Sequence, residues 1–119
     1  MAGRLWGRLQ TDLDVRLRRG AWYKVLKVEG LEATIEVNLR PYTILKGLLE
    51  ISPKPPVRWT VVPVPHHVKH ALVKPGESYG VCPSCTERAE LPRKAERHTC
   101  PRCRRDYAVA WDERYLDIA

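Results

Sequence analysis

The sequence predicts a mainly β protein: a small antiparallel β module, a proline-rich joint, and a C-terminal unit closed by cysteines. Three observations carry this. Apolar and polar residues alternate at period two through much of the first half. Prolines crowd residues 53–75, at Pro53, Pro55, Pro56, Pro63, Pro65 and Pro75. Two Cys-x-x-Cys pairs follow, Cys82-Pro83-Ser84-Cys85 and Cys100-Pro101-Arg102-Cys103. A chain of 119 residues holds one ordinary domain or two small ones. It is 44% hydrophobic and 29% charged, enough for a core and too apolar for wholesale disorder. With no Phe and one Met, the interior has to be built around the four Trp and five Tyr.

The elements follow in order. Leu13, Val15 and Leu17 alternate with Asp12, Asp14, Arg16 and Arg18, as for a first strand. Ala21 to Val28 is β-prone and apolar on both faces, as for a more central strand. Leu31, Ala33, Ile35, Val37 and Leu39 alternate with Glu32, Thr34, Glu36, Asn38 and Arg40, the cleanest strand in the chain, with one buried side and one wet. Arg19-Gly20 and Glu29-Gly30 read as the turns between them, so residues 12–39 form an antiparallel meander. Pro41 ends the third strand, Tyr42 to Leu45 starts a fourth, and Lys46 to Glu50 has room for a single helical turn. Val57, Trp59 and Val61 alternate with Arg58 and Thr60 as a fifth strand.

Five short strands with a helical turn before the last resemble the SH3-like barrel class over about residues 11–62. That resemblance rests on strand order and spacing; a two-layer β-sheet module is the alternative. The predicted organisation is a small β-barrel over 1–62, an extended linker over 63–77, where prolines supply no backbone donors, and a cysteine unit over 78–119 with an acidic end.

The cysteines carry the strongest chemical signal. Two residues between paired cysteines let a tight turn aim both sulfurs at one point, with turn amides free to bond the thiolates. Two such knuckles, 14 residues apart, complete a tetrahedral site. Ser78 to Val81 is β-prone ahead of the first knuckle, and Tyr107, Val109 and Trp111 alternate with Ala108 and Ala110 after the second. Residues 78–112 therefore resemble the zinc-ribbon superfamily. The resemblance implies Cys82, Cys85, Cys100 and Cys103 as ligands of one Zn²⁺, with Tyr107, Trp111 and Tyr79 covering the ribbon sheet. With every coordination position filled by protein, the ion is structural. Zinc is favoured over iron, which the same four sulfurs also accept, over disulfides, which need an oxidising compartment, and over a redox pair, which needs a βαβ setting the chain lacks.

The remaining candidates are weighed against packing. His66 and His70 would share a helical face for a second metal, but Pro63 and Pro65 oppose a helix there, so they read as solvated joint residues. His98 reads as a hairpin surface residue. Trp22, Trp59 and Trp111 are expected in the core, and Trp6 is unassigned. Basic residues gather near the knuckles at Arg88, Arg93, Lys94, Arg97, Arg102, Arg104 and Arg105, a pattern suited to phosphate contacts. Arg4, Arg8, Arg16, Arg18 and Arg19 would extend that surface. The formal charge is +7; four thiolates with one Zn²⁺ carry −2 together and lower it to +5. Residues 106–119 run the other way, with four acidic side chains against one basic.

No Gly-rich phosphate loop, nucleophile elbow or zincin motif is present, and no carboxylate has a matched partner for acid–base work. A non-catalytic zinc protein with no small-molecule substrate is expected. It would bind nucleic acid or a transcription or translation assembly; the alternative is a protein–protein adaptor, with Asp112, Glu113, Tyr115, Leu116, Asp117 and Ile118 as a docking tail. No run of 18 apolar residues exists and residues 1–10 lack a secretory pattern, so no membrane partner is expected and the cytoplasm is the default compartment.

Overall fold

The computed structural model describes residues 4–11, 15–113 and 115–116, and the fold is mainly β. The chain divides into two compact units, Met1–Pro56 and Val57–Ala119, each built on a five-stranded sheet.

Unit 1 holds β1 (Leu5–Leu9), β2 (Tyr23–Glu29), β3 (Glu32–Val37), β4 (Arg40–Leu45), a 3₁₀ turn (Lys46–Leu48) and β5 (Leu49–Ser52). All pairings are antiparallel, and the order β4-β3-β2-β1-β5 curls into a half-barrel. Register puts Leu5 opposite Val25, Val25 opposite Ile35, Ile35 opposite Tyr42 and Leu9 opposite Leu49, so one face of every strand lines the core. Leu9, Ala33 and Ile35 are fully enclosed there, with Leu17, Ala21, Tyr23, Ile44 and Leu49 around them. On the opposite face Arg8 is also buried. Its guanidinium lies 4.4 Å over the Trp22 ring and donates to Glu50 Oε1 at 2.7 Å.

Five antiparallel strands with one helical turn before the last is the predicted pattern, but different residues build it. Of the expected first strand over 12–18, residues 12–14 lie outside the described residues and 15–17 form bends. The actual first strand is Leu-Trp-Gly-Arg-Leu, whose alternation is hidden by a central glycine. A Cβ at Gly7 would lie 3.3 Å from Leu49 and 3.5 Å from Val25, so the strands meet closely over it. The two-sided apolarity of β2 has a local cause: Leu26 is an extra residue in a bulge between Val25 and Lys27 and is half exposed. Strand β3 stops at Val37 rather than running to Arg40. Asn38 and Leu39 both take positive φ, 51° and 65°, as the two central residues of a tight hairpin turn. Pro41 lies within β4, an edge strand, where its missing donor is tolerated.

Unit 2 contains β6 (Arg58–Pro63), β7 (Ser78–Val81), β8 (Arg88–Ala89), β9 (Arg97–Thr99) and β10 (Asp106–Val109), in the order β8-β7-β6-β10-β9. This corrects the domain boundaries. The strand over 57–61 does not close the N-terminal barrel; it is the centre of the second sheet, antiparallel to β7 and parallel to β10. Val57, Trp59 and Val61 give β-strand alternation, and alternation carries no information about which sheet a strand joins. Its place as fifth strand of unit 1 is taken by Leu49–Ser52. Residues 63–77 are likewise not a joint between modules. They form a loop inside unit 2, tied at its neck by Val64 N–H to Glu77 O and Gly76 N–H to Val64 O, both 2.8 Å.

Candidate metal centre

Each knuckle occupies the turn of a hairpin, Cys82–Cys85 between β7 and β8 and Cys100–Cys103 between β9 and β10. The two turns repeat one another bond for bond. Cys82 N–H donates to Glu87 O at 2.9 Å and Thr86 N–H returns to Cys82 O at 3.1 Å; Cys100 N–H donates to Arg105 O at 2.8 Å and Arg104 N–H returns to Cys100 O at 3.0 Å. Thr86 and Arg104 close the turns in the left-handed region, φ 63° and 66°. The conformation aims backbone donors at sulfur: Ser84 N–H reaches Cys82 Sγ at 3.4 Å, and Arg102 and Cys103 N–H reach Cys100 Sγ at 3.4 and 3.5 Å.

Strand β6 brings the knuckles together. Because β7 runs antiparallel to it and β10 parallel, the end of β7 and the start of β10 both fall at the Arg58 end of β6. The four sulfurs converge there, all within 4.8 Å of one another, with Cys82 Sγ 3.7 Å from Cys103 Sγ and Cys85 Sγ 3.6 Å from Cys100 Sγ. A tetrahedron with metal–sulfur bonds of about 2.3 Å has edges of about 3.8 Å. The donor set therefore fits one tetrahedral metal ion of thiolate preference, and the sulfurs are free of disulfide bonds.

Beneath the sulfurs lies Trp59, fully buried, clustered with Cys82, Ala89, Cys100 and Val109 and flanked by Val61, Leu91 and Tyr107. Its indole N–H donates to His98 O at 2.9 Å, tying β6 to β9 across β10. Leu91 is pressed onto Gly80, where a Cβ would meet it at 2.7 Å. Burial dominates the thiols of Cys82 and Cys85 and raises both above the ordinary range. At Cys103 burial also pushes upward, but the Arg105 amide and the neighbouring sulfurs outweigh it and bring the thiol to about 7. Four thiols this close in a partly dry site are held apart as thiolates only at a cost, which a divalent cation at their centre removes.

The seven predicted basic residues are all exposed. Arg97 is engaged, donating to Asp106 Oδ2 at 2.6 Å and holding that carboxyl below its usual range. Among the described residues the other six make no ion pair. Arg88 lies on β8 and Arg97 on β9, the two opposite edges of the sheet, while Arg102, Arg104 and Arg105 surround the second knuckle.

Other expectations need correction. Trp111 is 42% exposed, its indole N–H spent on Ala95 O, and Trp22 is half-buried against Arg8; only Trp59 of the three is a core residue. Tyr79 is buried, but under His70, whose ring stacks on it at 4.6 Å; His66 packs over Gly76. Among the described residues the cysteines form the only cluster of three or more metal-ligating side chains. Of the acidic tail, Asp112 is exposed and paired to Arg58 at 2.7 Å, Tyr115 is buried, and residues 117–119 lie outside the described residues. No helix is long and apolar enough to cross a membrane. What sequence reasoning missed is Trp59 as the floor of the cysteine cluster, because its partners lie 23–50 residues downstream. Searches found no family model, no curated protein and no solved structure that matches this chain.

Proposed function

We propose that this chain is a non-catalytic, cytoplasmic binding protein whose second unit is a zinc ribbon, with one structural Zn²⁺ held by Cys82, Cys85, Cys100 and Cys103. In this reading the ion closes the unit and the surface around it contacts the phosphate backbone of a nucleic acid. Unit 1 is assigned to the SH3-like class on its strand order and the 3₁₀ turn ahead of its last strand. Zinc supplies folding energy here and no reaction, because four sulfurs fill a tetrahedral ion and leave no position for water.

The observation that carries the nucleic-acid reading is the set of six exposed cations on unit 2 that have no ion pair among the described residues, Arg88, Arg102, Arg104 and Arg105 beside the knuckles and Arg93 and Lys94 in the β8–β9 loop. Guanidinium groups left uncompensated around a small unit are suited to bidentate phosphate contacts. The test is binding of labelled single-stranded DNA, duplex DNA and RNA across salt. Affinity should fall steeply between about 50 and 200 mM salt, and replacing Arg93, Lys94 and Arg102 by Gln should flatten the slope by about 0.7–0.9 for each phosphate no longer neutralised. An affinity that does not move with salt defeats the reading. Metal analysis returning one zinc per chain supports the cage; iron, or no metal, overturns that part.

A second reading, a protein adaptor, draws on the exposed Leu26, Leu31 and Leu45 of unit 1 and on edge strand β4. Recovery of one protein partner that persists after nuclease treatment would favour it.

A further inference from the structure

The sequence places the basic surface mainly on the cysteine unit, yet unit 1 gathers a separate one. A groove of about 460 Å³ is lined by Arg16, Val37, Asn38, Arg40, Pro41 and Tyr42. Three segments converge on it: the long β1–β2 connection, the β3–β4 turn and strand β4. Its chemistry is one-sided. Arg16 and Arg40 stand 24 positions apart in sequence, both are exposed, and neither makes an ion pair among the described residues. No carboxylate lies among the lining residues.

The strand register explains the geometry. Arg40 and Tyr42 are two apart on β4, so they share a face, and the pairs Val37↔Arg40, Ile35↔Tyr42 and Ala33↔Ile44 identify it as the core-lining face. Tyr42 is thus rooted against fully buried Ile35 and remains half-exposed at the groove. A seated aromatic in one groove with two guanidinium groups is a combination that binds single strands, with a base on the ring and phosphates on the arginines. The volume lies in the range of small-ligand sites.

We infer that Arg16, Arg40 and Tyr42 form a single-stranded nucleic-acid site on unit 1, taking one base on Tyr42 and the adjacent phosphates on the two arginines. This rests on the nucleic-acid reading above and assigns it a second contact surface. The ring's partners here are sequence-tolerant, so the site discriminates strand form rather than sequence.

The test uses the full-length, metal-loaded chain and fluorescence anisotropy with a labelled RNA strand of about a dozen nucleotides. Arg16→Ala with Arg40→Ala should weaken binding at least about tenfold. It should also reduce the salt slope by about 1.4, two phosphates at about 0.7 each. Tyr42→Leu keeps bulk over Ile35 but removes the π face, and should cost about 5- to 100-fold with the salt slope unchanged. Metal content and far-ultraviolet circular dichroism confirm that each variant is folded. Because Arg16 and Arg40 are exposed, the double variant keeps the test decisive even if Tyr42→Leu fails to fold. Wild-type affinity and slope in the double variant, alongside weaker binding when Arg93, Lys94 and Arg102 are replaced, would overturn this inference and leave the ribbon surface standing. Absence of binding by the wild-type chain at about 50 mM salt would overturn both. Equal affinity for a mononucleotide and for the longer strand would overturn the strand assignment.

Discussion

Replacing Trp59 by Ala separates a structural role in the metal unit from a place in the N-terminal barrel. The side chain is fully buried, and a tryptophan of this burial removes about 200 Å² from water. At about 25 cal/mol per Å² that is roughly 5 kcal/mol, and the lost indole bond to His98 O adds about 1 kcal/mol. Partial collapse of the cavity returns some of this, and Trp→Ala changes in cores cost about 3–5 kcal/mol. A loss near 4 kcal/mol is expected. The backbone bond from Ala110 N–H to Trp59 O survives the substitution, so the loss reports the side chain alone. If unit 2 folds only with its metal, the same energy appears in metal affinity, where 4 kcal/mol is about a thousandfold. The assay is competition for Co²⁺ or Zn²⁺ against a chelator of known affinity, followed by the visible bands of tetrahedral cobalt–thiolate. Trp22→Ala, in unit 1, is the control and should leave metal affinity unchanged. A Trp59→Ala protein that binds metal within threefold of the wild type would refute the assignment of this residue to the metal unit.

Three further outcomes follow from the same structure. Chelating the metal should collapse the amide resonances of residues 57–113 while those of residues 15–56 persist, because each unit has its own sheet and core; loss of both sets together would contradict the division. Leu39→Gly should stabilise unit 1 by about 0.5–1 kcal/mol in a denaturant melt: Leu39 has φ 65° and is 88% exposed, so relief of left-handed strain outweighs glycine's entropy and no packing is lost. A destabilised variant would show that Leu39 has contacts beyond the turn. Tyr23 has its phenol pushed above 10.0, chiefly by burial, while the hydrogen bond from Arg18 N–H at 2.9 Å pulls the other way. The protonated form is the one the fold favours, so its contribution is fully present below pH 10 and is lost as pH rises above it. Tyr23→Phe should remove that alkaline loss and cost about 1 kcal/mol near neutrality; an unchanged alkaline profile would refute the linkage.

Part of this protein was legible in the chain itself. The Cys-x-x-Cys spacing determined which four sulfurs could converge on a metal ion, because a two-residue turn constrains sulfur direction whatever surrounds it. The alternation over Glu32–Val37 determined a strand with Ala33 and Ile35 in the core, since period two has one reading when apolar and polar residues interchange. Where a glycine replaced an apolar residue, as at Gly7, the same signal vanished and β1 went unseen. A bulge at Leu26 made a one-sided strand look two-sided. Pairing was decided only by the tertiary structure. Nothing within Arg58–Pro63 says that its partners are β7 and β10 rather than the strands before it. That choice depends on side chains 20 to 50 residues away closing over Trp59, an energy that exists only once both hairpins are in place. The convergence of Arg16 and Arg40 on one groove has the same origin: Arg16 lies in the β1–β2 connection and Arg40 on β4, and only the folded sheet brings those two segments together.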